Sequence, residues 1–197
     1  SRLKTIPMSG GIFEIFQKSL ELERSGKKIV HMEMGRPDFD SPKNAKKALI
    51  ESLNDGFVHY TSSFGIDELR IAIAKKAQRD RGIIADPFKE IMVTAGACEA
   101  LFTIFLSLLD PEDEILIPCP YFPAYVEQAI ISGVKLVPIP LKFEKGFRLD
   151  AKDIEERITE KTKMLLINTP HNPTGAVLKI DDLQKIAEIS KKYDLLV

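Results

Sequence analysis

Four short segments of this 197-residue chain combine residue types that could hold a flat, anionic ligand. The first is Thr94-Ala95-Gly96-Ala97-Cys98-Glu99, where small residues follow an apolar run and open an apolar helical pattern. Free N–H groups at a helix start, together with the helix dipole, make such a place a phosphate cradle. Small side chains let the anion reach the backbone. Taken alone, the segment reads equally as a tight strand-to-helix turn. The second is Cys119-Pro120-Tyr121-Phe122-Pro123-Ala124-Tyr125. An aromatic held by prolines can stack on a flat heterocycle at little entropic cost, although a hydrophobic corner of the core is the plainer reading. The third is Asn168-Thr169-Pro170-His171-Asn172-Pro173-Thr174-Gly175. An Asn amide fixed between prolines is a rigid donor for a phenolate or carboxylate oxygen. The competing reading is a structural turn, since Asn, Pro and Gly are all turn formers. The fourth is Gly35-Arg36-Pro37-Asp38-Phe39-Asp40-Ser41-Pro42, with Tyr60 and Gly65 beyond it. By itself it reads as an interdomain turn with helix capping.

Alternating strands and helices would position these segments. Periodicity and capping signals predict helices over Ile12–Arg24, from Ser41-Pro42 to about Leu53, Ile66–Asp80, Ala97–Leu109, Ala124–Ser132, Asp150–Ile158 and from Asp181 or Asp182 to Lys192. Apolar runs predict strands over 28–32, 90–94, 114–117, 135–139, 163–168 and 195–197. Nearly continuous apolar strands between helices imply an α/β fold with a mostly parallel sheet covered on both faces. In such sheets ligands bind beyond the C-terminal strand ends, where the four segments are expected to fall. Residues 1–41 read as an N-terminal arm and part of a smaller domain. Residues 42–197 read as the first half of a large domain, cut within an apolar strand at Val197.

Composition narrows the function classes. The chain is 44% hydrophobic and 29% charged, enough for a real core, and its formal net charge of -1 gives no electrostatic reason to expect nucleic acid or an anionic membrane. The longest apolar stretches are too short to span a bilayer. The start, Ser1-Arg2-Leu3-Lys4, lacks an apolar signal core. Two cysteines, Cys98 and Cys119, and three scattered histidines suggest neither a disulfide framework nor a metal site. A cytoplasmic location is expected.

Together and in this order, the segments resemble the fold-type I, class I/II aminotransferases, which depend on pyridoxal phosphate. The resemblance rests on Asn172-Pro173-Thr174-Gly175 after an apolar strand, on Gly35-x-Pro37-Asp38-Phe39, and on Tyr60 followed by Gly65-x-x-x-Leu69-Arg70. The turn Gly96-Ala97-Cys98-Glu99-Ala100-Leu101 completes it. It implies that the N–H groups of Ala97 and Cys98 hold the cofactor phosphate, that Phe122 stacks on the pyridine ring, and that Asn172 donates to the phenolic oxygen. It places Gly35, Phe122 and Asn172 at the substrate. It also implies that Tyr60 reaches the phosphate of a neighbouring subunit, hence a homodimer, and that the peptides before Pro120 and Pro173 are cis.

The lysine that holds the cofactor covalently is expected beyond residue 197, with an Asp, a Tyr and two Arg that complete the pocket. Lys161, Lys163, Lys185, Lys191 and Lys192 sit on strand edges or a polar helix face and do not fit that role. No catalytic residue is therefore assigned here, and the chain alone is expected to be inactive. The expected reaction of the whole protein moves an amino group between an amino acid and a 2-oxo acid. A C–S lyase or an aminocyclopropane-carboxylate synthase relative would use the same elements, as would a non-enzymatic cofactor-sensing regulator. The last usually carries a DNA-binding module, and the chain shows no basic helix-turn-helix segment.

Overall fold

The computed structural model describes residues 11–35 and 37–197, which fall into two compact units divided after Ala95. In the first unit, helices α1 (Ile12–Arg24), α2 (Lys43–Asn54) and α3 (Asp67–Arg81) are joined by turns and extended segments. α3 ends where Gly82 adopts φ 69, a left-handed cap that only glycine takes without penalty. Arg70 is the one buried residue described in this unit. Its guanidinium lies between the rings of Phe64 and Phe88, 5.5 and 5.6 Å from their centroids, and its Nε donates to Ile91 O at 3.1 Å.

The second unit holds helix α4 (Gly96–Leu108), strand β1 (Glu114–Cys119), α5 (Ala124–Ser132), β2 (Lys135–Pro140), α6 (Ala151–Glu155), β3 (Thr162–Leu165) and α7 (Ile180–Lys192). The sheet is parallel with order β2-β1-β3, and a single parallel bridge adds Leu196 beside Met164. Because side chains alternate along a strand, Ile115, Ile117, Met164 and Leu166 point into one cluster with Phe105, Leu109 and Ala129 of the α4/α5 layer. Leu116, Ile139 and Leu165 point into the other, with Ile154 of α6 and Ile186 and Ile189 of α7. The sheet is thus covered on both faces, as its apolar strands predict.

Polar groups fix the layers at their ends. The buried Glu114 carboxylate, at the start of β1, accepts from Thr159 Oγ1 (2.6 Å) and Lys135 Nζ (2.9 Å). These bonds hold its pKa below the ordinary carboxylate value, Thr159 contributing most. Asp150 caps α6 by accepting Lys152 N–H at 3.0 Å. Buried Asp182 accepts Lys179 N–H at 3.0 Å and takes a forked donation from Arg148, which anchors the start of α7.

All seven predicted helices form, α6 ending earlier than Ile158. Two predicted strands do not. Segment 90–94 carries no ladder: Val93 N–H donates to Phe64 O (3.0 Å), and the side chain of Arg70 occupies Ile91 O. Segment 28–32 is likewise not a strand, because Met32 N–H turns to the Glu33 carboxylate (2.9 Å) instead of a neighbouring strand. The run 195–197 is reduced to the Leu196 bridge.

Candidate cofactor-binding site

α4 starts directly in the small-residue turn, and Ala97 and Cys98 lie in its first turn, where the N–H groups of a helix point past its end. Ala97 and Cys98 are exposed. Gly96 takes φ 80, and an ideal Cβ built on it would meet nothing within 4 Å. Ala97 and Cys98 are thus accessible at the helix start, with thirteen residues of aligned peptide dipoles behind them. That start has both the donors and the room that a phosphate monoester needs.

The second and third segments leave the same edge of the sheet. β1 and β3 are paired neighbours, and each runs at its C-terminal end into one of them. After β1, the cis peptide Cys119-Pro120 leads into Tyr121 and Phe122. Phe122 is half-buried and packs edge-to-face on Tyr125, with centroids 5.7 Å apart and planes at 77°. Gln128 Nε2, one turn further along α5, donates to Cys98 O at 2.9 Å. That bond ties the helix carrying the aromatic loop to the first turn of α4. Burial raises the phenol pKa of both Tyr121 and Tyr125, so these rings stay neutral.

After β3 comes the Asn172 loop. Its peptide Asn172-Pro173 is cis, as expected, and so is Thr169-Pro170, which the sequence did not single out. Gly175 takes φ 73 where the chain turns back. Asn172 is exposed, and its amide has no protein partner among the described residues. Two residues outside the expected set also shape the region. His171 is buried in the Asn172 loop, and Gln128 bridges α5 to α4. A lone histidine in a turn and a glutamine on a helix carry no sequence signal of these contacts. A recess behind the loop, lined mainly by apolar residues such as Pro118, Leu141, Leu149, Ile167 and Leu178, continues the α6/α7 core; the one cation in its lining, Arg148, is already paired with Asp182.

Gly35 and Tyr60 belong to the other unit and are both exposed. A Cβ at Gly35 would meet nothing within 4 Å, and nothing in its own unit covers the Tyr60 side chain. Arg36 lies outside the described residues, as does the start of the predicted arm, residues 1–10.

The sequence profile of the family "Aminotransferase class I and II" matches residues 27–197. This chain belongs to the class I and II aminotransferases. It is 45% identical over 183 residues to a probable aspartate/prephenate aminotransferase of Aquifex aeolicus, covering 93% of this chain and 46% of that protein. It is 41% identical to an aspartate aminotransferase of Pyrococcus abyssi, covering 92% and 46%. Among solved structures, aspartate aminotransferase from Thermus thermophilus, determined with maleate, superimposes with a TM-score of 0.92 at 36% identity, over 98% of this chain and 50% of that one. The chain thus spans about half the length of the curated relatives it matches. Class I and II aminotransferases use pyridoxal phosphate, a phosphate monoester carrying a flat heterocycle. The α4 opening, the rigid aromatic loop and the unpartnered Asn172 amide fit the two halves of such a group.

Proposed function

We propose that the whole protein to which this chain contributes is a pyridoxal-phosphate-dependent aminotransferase, exchanging an amino group between an amino acid and a 2-oxo acid. The observation that carries the reading is the match of residues 27–197 to this family, with Ala97 and Cys98 exposed at the start of α4. The names of the relatives favour aspartate as amino donor. Bound at that turn, the cofactor supplies the electron sink for breaking a bond at the amino acid's α-carbon. The chain's own residues bind and orient. The N–H groups of Ala97 and Cys98 hold the phosphate. Phe122 fixes the ring plane. The Asn172 amide donates to the phenolic oxygen and favours its ionised form. The Gly35 backbone meets the substrate carboxylate, and Tyr60 reaches the phosphate of a second subunit in a homodimer.

On this reading residues 1–41 are an arm with part of a smaller domain, and residues 42–197 are the first half of the large domain. The protein is placed in the cytoplasm. No helix among the described residues is long and apolar enough to cross a membrane, and both cysteines are free. The test is to purify the full-length protein with pyridoxal phosphate and follow aspartate with 2-oxoglutarate. Formation of oxaloacetate and glutamate is expected. Release of ammonia from aspartate, or of sulfide from cysteine supplied in its place, without amino transfer would overturn the reaction, and a holoprotein that turns over no amino acid would overturn the enzyme reading.

A further inference from the structure

The loop that presents Asn172 is closed by a side chain that none of the roles above uses. His171 is 8% exposed, whereas its neighbours Asn172, Pro173 and Gly175 are all exposed. Its Nδ1 lies 2.8 Å from Thr174 Oγ1, which also accepts the Ala176 N–H at 3.3 Å. Two backbone bonds run alongside: His171 N–H to Ala176 O at 2.8 Å, and Gly175 N–H to His171 O at 2.7 Å. Burial holds the imidazole pKa below its ordinary value, so the ring is neutral at neutral pH and has one bare nitrogen. In the tautomer with its proton on Nε2, Nδ1 accepts a hydrogen bond from the Thr174 hydroxyl, which leaves the lone pairs of that oxygen for Ala176. The result is a directed chain of hydrogen bonds from residue 176 through 174 to 171. It spans Asn172 and Pro173, whose side chains make no hydrogen bond within the turn.

We infer that His171 is a positioning residue, whose bond to Thr174 Oγ1 clasps the loop so that the Asn172 amide is held toward the phenolic oxygen of the cofactor. The inference rests on the role proposed for Asn172. Without the clasp, an exposed amide with no partner of its own would sample several orientations. Part of its effect on the phenolic oxygen would then be lost, although Asn172 itself remains.

The test uses full-length holoenzyme and reads the pH titration of the cofactor's visible absorbance. Asn172→Ala is expected to raise the apparent pKa. His171→Ala and Thr174→Val are expected to move it in the same direction by a smaller amount. His171→Asn and Thr174→Ser, which keep a polar group at the clasp, are expected to move it back toward the parent. The double variant His171→Ala/Asn172→Ala should titrate like Asn172→Ala alone, since the two act through one bond. A merely structural histidine would lower thermal stability and leave the titration in place. If Asn172→Ala shifts the titration while His171→Ala and Thr174→Val match the parent, the inference is overturned. Should His171→Ala fail to fold, Thr174→Val breaks the same bond with little change of volume. If Asn172→Ala itself leaves the titration unmoved, the reading of Asn172 fails first, and the clasp falls with it.

Discussion

A single amide, that of Asn172, carries the most specific chemistry assigned to this chain. Its removal in Asn172→Ala should weaken cofactor binding by about 1.5–3 kcal/mol, the range for a hydrogen bond to a charged group. Equilibrium dialysis of the full-length protein against pyridoxal phosphate measures the loss, and unchanged affinity would reduce Asn172 to a turn residue. His171 adds a pH dependence of definite sign. Its folded pKa is depressed by burial, so its contribution to stability is complete above the ordinary value of 6.5 and is lost as pH falls through the lower folded value. Melts between pH 8 and pH 5 should therefore show a steeper acid loss for the parent than for His171→Asn. The loops that carry Asn172 and Phe122, and the helix start at Ala97-Cys98, were legible in the sequence because their residue types are the signal: turn formers, a proline-flanked aromatic, small residues before an apolar helix. His171 was not, because burial of one histidine in a loop depends on what packs over it.

The start of α4 makes a prediction in which two effects have opposite signs. Ala97→Asp places a negative charge in the first turn of a helix, which should leave the helix unharmed or stabilise it by about 0.3–1 kcal/mol. The same charge would repel a phosphate at that turn. Cofactor affinity is therefore expected to fall while the melting temperature of the cofactor-free protein holds or rises, and equal affinity in parent and variant would move the phosphate site elsewhere. In the first unit, Gly65 takes φ 97, and a Cβ there would lie 2.6 Å from Val93 Cγ2 and 2.8 Å from Val93 Cβ. Gly65→Ala combines strain with overpacking and should destabilise by about 1–3 kcal/mol, measurable by urea unfolding. Helices were read well from sequence because each carries its own evidence, a periodic face and a cap. The two strands read in error, 28–32 and 90–94, show the asymmetry. An apolar run announces that a segment avoids water, but a ladder needs a partner, and no residue of the run names one. For 90–94 the Arg70 side chain and Phe64 took the positions a neighbouring strand would hold.

At the scale of the whole molecule, the chain spans about half the length of the relatives it matches, and the placement of its lysines bears on what it can do alone. All of Lys161, Lys163, Lys185, Lys191 and Lys192 are exposed. The first two lie at or before the start of β3, at the far end from the Asn172 loop, and the others lie on α7. Residues 1–197 mixed with pyridoxal phosphate and reduced with borohydride should give only scattered lysine labelling by mass spectrometry. One stoichiometrically labelled lysine with amino-acid turnover would overturn that expectation. The two units also differ in kind. The sheet unit has two interior clusters on either side of β1, while the three helices of the other unit bury one arginine and leave Leu49, Leu53, Phe57 and Val58 exposed. Conformational entropy is offset mainly by burial, so the two halves cannot share one unfolding free energy. In native-state hydrogen exchange of residues 1–197, amides of β1 and β3 should be the slowest. Those of α1 and α2 should exchange through small local openings, long before the sheet comes apart. For a chain emerging from the ribosome this reverses the usual order of folding: α1 and α2 stay unprotected while the strands made after them close into a core.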